Sequence, residues 1–204
     1  MKKTSLIALF LIVSLSFVGC SKVKLEPGEV FITYKKGSSI TTFSVSEKDA
    51  KNEFGIRLSD SKKEMKDELT DYFKNIYGNK FEITDIKKGK DYIEFTYEVE
   101  APTGQWYRST LEEYAEKRHY DDMDEMAERE ELVFYKNKKS ADGKDLEKHS
   151  DDYVESVRGG KDGTYYRFEG NIIFVSENLK YKKISNDTIY VKRNSSNGIV
   201  IFKK

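Results

Sequence analysis

The sequence has little cysteine, proline or histidine: one, two and two in 204 residues. Each shortage removes a class of function. With Cys20 alone, no disulfide within the chain and no multi-thiolate metal site can form. His119 and His149 are two isolated imidazoles, without the His-Glu-x-x-His spacing of a zinc hydrolase. Pro27 and Pro102 cannot make a proline-rich stalk. Charge of one sign is also missing, since 36 Lys and Arg balance 36 Asp and Glu. No overall cationic excess is available to neutralise nucleic-acid phosphates, so nucleic acid is not an expected partner. Gly159-Gly160 and Asp162-Gly163 lack the Lys-Ser/Thr of a phosphate cradle and read as turns. No repeat of fixed period occurs, and no cofactor is expected.

A long apolar run occurs once, at the start. After Met1-Lys2-Lys3-Thr4, residues 5–19 carry no charge, the pattern of a secretory signal. A helix of that length rises about 22 Å, short of the roughly 30 Å hydrocarbon core, so a permanent span is the poorer reading. The run ends in Phe17-Val18-Gly19-Cys20, which resembles the lipobox of bacterial lipoproteins. The resemblance implies cleavage before Cys20 and a diacylglyceryl thioether on its sulfur, with palmitate among the acyl chains. Two or three acyl chains hold a protein stably on a bilayer where one would not. The expectation is therefore a signal peptide over 1–19, a lipidated tether over 20–28 and a single domain over 29–204, on the extracytoplasmic face of the cell membrane. Loss of Lys2 and Lys3 leaves 34 basic against 36 acidic side chains, a formal charge of −2.

The domain reads as α+β. Val30 to Tyr34 and Ile40 to Val45 flank a Gly37 turn and predict a hairpin. Met65, Leu69, Tyr72, Phe73 and Ile76 recur at helical spacing behind a Ser61/Glu64 capping box, with Gly78 as the stop, predicting an amphipathic helix over 62–77. Phe81 to Ile86 and Tyr92 to Val99 supply strands, the second alternating Ile93, Phe95, Tyr97, Val99 with polar residues, as one wet and one dry face require. A short helix to about Arg118 is expected behind a Ser109/Glu112 capping box. Residues 119–163 read as a charged, mobile excursion with a surface helix around 145–157. Five more strands are expected over 165–202. The predicted architecture is an antiparallel sheet, single or split in two, with one main helix packed on it.

The hairpin "KKGSSITTFSVS", the helix "KKEMKDELTDYF" and above all "GNIIFVSENLKYKKISNDTIYVKR" resemble a group of uncharacterised lipoproteins from low-GC Gram-positive bacteria. The likeness covers about half the mature chain. It implies location and a single-domain fold, and carries no catalytic residue with it. The middle, "HYDDMDEMAEREE", is more acidic than the group's pattern.

Four sets of residues merit attention as sites. Asp121, Glu125 and Glu128 would share one face of a continuous helix, where hard carboxylates suit calcium, although the spacing lacks the glycine of an EF-hand loop. A solvated helix face accounts for the same pattern. His149 with Asp151 or Asp152, beside Ser150, has the composition of a base, its orienting acid and a nucleophile, without the strained turn that usually frames such a serine. Trp106 and Tyr107 could present an aromatic platform to a glycan or protein, or could close one end of the core. Cys20 is the lipidation site. These residues support two functions: a non-enzymatic binding or accessory module for an envelope protein or glycan, and an envelope hydrolase in which two carboxylates from distant segments converge in a cleft. A two-lobed solute-binding protein would need a longer chain.

Overall fold

A computed structural model describes residues 23–35, 37–78, 80–100 and 109–204. Cys20, Trp106 and Tyr107 lie outside the described residues.

The fold is α+β, with two sheets. The hairpin forms as β1 (Val30–Lys35) and β2 (Ser38–Ser46), followed by α1 (Glu47–Phe54) and α2 (Lys62–Tyr77). The Ser61/Glu64 capping box is present in both directions, at 2.7 and 3.2 Å. Met65, Leu69 and Phe73 are buried, whereas Tyr72 and Ile76 are 40% and 57% exposed, so the stripe is narrower than the spacing predicts. α1 was not expected. Its Ser46 cap accepts the Asp49 N–H, and Ala50 and Phe54 alone face the core, too few to register as a period.

β3 (Phe81–Lys88) and β4 (Tyr92–Glu100) complete one half of a seven-stranded sheet, order β3-β4-β2-β1-β7-β10-β9, where β7 is Thr164–Arg167, β9 Tyr181–Lys183 and β10 Thr188–Val191. The expected alternation holds: Ile93, Phe95, Tyr97 and Val99 are all buried. One pairing is parallel, β1 on β7, with Val30 opposite Thr164 and Thr33 opposite Arg167.

Residues 119–163 depart most from expectation. α3 (Leu111–Arg118) is followed by α4 (Met123–Arg129), β5 (Leu132–Phe134), α5 (Gly143–Glu147) and β6 (Tyr153–Val157). The helix expected over 145–157 is replaced by α5 and a strand, because Val154 and Val157 are needed inside a second sheet. That sheet has the order β5-β8-β11-β6, with β8 Ile172–Ser176 and β11 Gly198–Phe202. All five residues of β11 are buried, since both faces of this sheet are covered. On one side Leu111, Met126, Leu146 and Phe174 join the three helices to it; on the other Val175, Val200 and Phe202 meet Tyr166, Ile189 and Val191 of the larger sheet.

The capping box of α3 is displaced by one residue. The Ser109 carbonyl accepts the Val154 N–H at 3.0 Å and stays beside β6, so Thr110 caps the helix and Glu113 closes the box.

Candidate functional site

Where the edge of the smaller sheet passes between α3 and the larger sheet, a cleft of about 630 Å³ opens. Tyr34 of β1 and Tyr166 of β7 form one wall, Tyr114 and Arg118 of α3 the other, and Ser156 to Arg158 with Asn197 to Ile199 form the floor. Glu130, at the end of α4, reaches in from the side.

The tyrosines are positioned by strand register. Ile32 lies opposite Tyr166, which sets Tyr34 one step along the same face, stacked on Tyr166 at 6.2 Å and on Phe168 at 5.7 Å. The Tyr166 hydroxyl donates to the Arg158 carbonyl at 2.8 Å and accepts the Arg158 N–H at 3.3 Å, tying the end of β6 to the wall. Burial holds Tyr166 above the ordinary tyrosine value. Helical spacing stacks Arg118 over Tyr114, its guanidinium 5.5 Å from the ring centre.

Glu130 accepts two phenols on one oxygen, Tyr114 at 3.2 Å and Tyr120 at 2.5 Å. Burial and the adjacent carboxylate raise both phenols, Tyr120 well beyond the ordinary range, so both stay protonated and keep donating. The result is a carboxylate locked in place, with two exposed guanidinium groups, Arg118 and Arg158, on the same lining. Such a site can engage an anionic group through the arginines while hydroxyls and backbone edges receive the rest of a polar ligand.

The acidic residues singled out in the sequence do not meet. α4 starts after its cap Asp122, so Asp121 precedes the helix and leaves the face it was expected to share. Glu125 instead accepts the Asp121 N–H at 2.6 Å and pairs with Arg129 at 3.4 Å. Glu128 lines a smaller hollow of about 220 Å³ with Glu131 and Glu177. Among the described residues, no three acidic or histidine side chains are grouped so that they could hold a metal ion.

His149 and Asp152 do meet, Nδ1 to Oδ2 at 2.7 Å, with the imidazole edge-on to Phe174. The other Asp152 oxygen takes the Lys204 N–H at 3.0 Å, and its carbonyl the Leu111 N–H at 2.8 Å. This is a clamp joining α3, the loop before β6 and the C-terminus. Ser150 contributes its carbonyl to Glu112 there.

The cleft residues carried no signal in the sequence, because they come from six separated segments and Tyr34, Tyr114 and Tyr166 look like ordinary core aromatics. Comparison of the chain with protein-family models, curated proteins and solved structures finds no match.

Proposed function

We propose that the chain is a bacterial lipoprotein, held on the extracytoplasmic face of the cell membrane through a diacylated Cys20, and that it works as a non-enzymatic binding module whose cleft receives part of an envelope protein or glycan. The observation that carries the binding reading is the cleft lining, in which Arg118 and Arg158 stand beside a Glu130 fixed by two tyrosines. A hydrolase built on paired carboxylates needs a second acid facing Glu130. Among the described lining residues Glu130 is the one carboxylate, and the remaining charges there are cationic, which supports binding over hydrolysis.

The test joins anchor and cleft. Mass spectrometry of membrane fractions should find a diacylated Cys20 at the new N-terminus, lost with its membrane retention in Cys20→Ala. Crosslinking in intact cells should capture one reproducible neighbour, weakened at least tenfold in Arg118→Ala/Arg158→Ala, as loss of two charge-assisted contacts of about 1.5 kcal/mol or more each implies. An unmodified, uncleaved chain would sink the anchor; a neighbour captured equally by the double variant would remove the cleft from the function.

A further inference from the structure

The balanced total charge conceals two regions of opposite sign. From Ser109 to Glu131, ten carboxylates stand against three cations; these residues form α3, α4 and their connections, on the outer side of the smaller sheet. From Asn178 to Arg193, five cations, Lys180, Lys182, Lys183, Lys192 and Arg193, stand against the single carboxylate of Asp187. This second stretch is the β10–β9 edge of the larger sheet. All five cations are exposed, and Lys192 donates its N–H to the Lys180 carbonyl at 2.8 Å, which sets the two ends of the stretch side by side. The Asp187 carboxylate is already engaged by the Ser185 and Thr188 hydroxyls. Lys138 joins the edge from the smaller sheet, with its ammonium 5.3 Å above the Tyr181 ring. Among the described residues, none of these six cations makes an ion pair.

Lysines on an edge strand discourage strand addition, but that role does not explain what lies beside them. Phe31, Tyr165, Tyr190 and Lys182 stand directly opposite one another on four consecutive strands. They form a row on the face of the larger sheet opposite to Ile32, Tyr166, Ile189 and Val191, the residues that meet the second sheet. The rings touch, Phe31 to Tyr165 at 6.0 Å and Tyr165 to Tyr190 at 4.5 Å, and all three are half-exposed. Arg167 lies over the Phe31 ring at 5.1 Å and Lys182 ends the row at the β9 edge, while Glu29 is engaged by the Tyr190 hydroxyl; aromatic rings beside cations are the composition of a surface that rests at lipid headgroup level.

The tether ends at this same place. Leu25 is buried, the Gly28 N–H donates to the Ser44 carbonyl at 2.7 Å and the Glu26 N–H to the Glu29 carboxylate at 3.0 Å, so the chain is fixed to the body from Leu25 onward. Four residues lie between Cys20 and Leu25, and the five steps of chain make a leash of at most about 18 Å. The step from β1 to β9 is three strand spacings, about 14 Å.

We infer that the β9 edge of the larger sheet, with the adjoining row of Phe31, Tyr165 and Tyr190, forms a second membrane contact, in which Lys138, Lys180, Lys182, Lys183, Lys192 and Arg193 engage the phosphates of an anionic bilayer. The inference rests on the Cys20 anchor, which brings the edge within reach. A short acyl leash and a basic edge then act as two signals on one surface, and the acidic helical layer is repelled from the same bilayer.

The experiment separates the two readings because it uses no lipid on the protein. Residues 21–204, which include every residue of the described cores, are sedimented with vesicles of phosphatidylcholine alone or of equimolar phosphatidylcholine and phosphatidylglycerol. Binding is expected on the anionic vesicles only and should fall with added salt. The variant Lys182→Gln/Lys183→Gln/Lys192→Gln/Arg193→Gln should weaken it by at least about tenfold. A control of equal charge change, Lys48→Gln/Lys51→Gln/Lys63→Gln/Lys74→Gln on α1 and α2, should leave it within about twofold. No binding to anionic vesicles, or equal loss in both variants, overturns the inference. Binding to soluble polyphosphate without binding to vesicles overturns it in favour of a wall polyanion. Lipid on Cys20 is read separately in the membrane fraction, so either result can fail alone.

Discussion

One face of the larger sheet is buried along its whole width, but its two halves are covered in different ways. Over β3, β4 and β2 the cover is α1 and α2, which lie between β2 and β3 in the chain, and the core is Phe43, Phe54, Phe73 and Phe95 with their aliphatic neighbours. Over β1, β7, β10 and β9 the cover is a second sheet whose strands come from positions 132–202, and that sheet is itself covered by three short helices. Local cover needs one amphipathic helix with a period the eye can find. Distant cover needs strands buried on both sides, which show as plain apolar runs such as Gly198–Phe202.

The largest effects test whether the halves unfold together. Phe95→Ala and Phe202→Ala each remove a fully buried ring and should cost about 3–5 kcal/mol. Both should lower the midpoint of one shared urea transition, because β1 and β7 hydrogen-bond the halves into a continuous sheet. Two separated transitions, each moved by one variant only, would break the comparison into two independent units.

A smaller loss is expected at Gly159, where an added Cβ would collide with the Lys192 carbonyl. Backbone cannot give way as a side chain can, so Gly159→Ala should cost about 1–3 kcal/mol, read by thermal melting. The displaced cap sharpens the picture further. Thr110→Ala should cost about 1 kcal/mol and Ser109→Ala under about 0.5 kcal/mol, since only Thr110 satisfies a helical N–H. The reverse order would restore the spacing first expected.

The smallest effect belongs to Tyr190, half-exposed in the row beside the β9 edge. Burial, then the Glu29 hydrogen bond, pushes its phenol up to about 12. The unfolded phenol ionises near 10, so this stabilisation is complete below about pH 10 and disappears as the pH climbs toward 12. Stability of Tyr190→Phe should decline less steeply than wild type across that window, with solvent screening keeping the difference modest.

Legibility followed the same division. The 62–77 helix with its cap, the hairpin and the β4 alternation could be read because each is decided by residues within a few positions of one another. α4, β5 and α5 span seven, three and five residues, too few for a period, and their burial depends on partners distant in the chain, as when Leu132 pairs with Ser176. Asp121 looked helical because its neighbours are, and only the cap at Asp122 shows where the helix starts. The cleft was illegible, since no two of its walls are adjacent in sequence. Total charge was misleading for a related reason: balance over the chain says nothing about a strand edge that gathers lysines from three segments.

The parallel β1–β7 pairing also has a consequence in time. During synthesis β1 and β2 emerge early and can fold against α2, while the partner of β1 appears only after most of the chain has been made. Until then β1 is an open sheet edge, available to any extended neighbour, including another nascent copy. Such long-range closure is slow, so any chain ended before Thr164 keeps that edge for good and should aggregate through it.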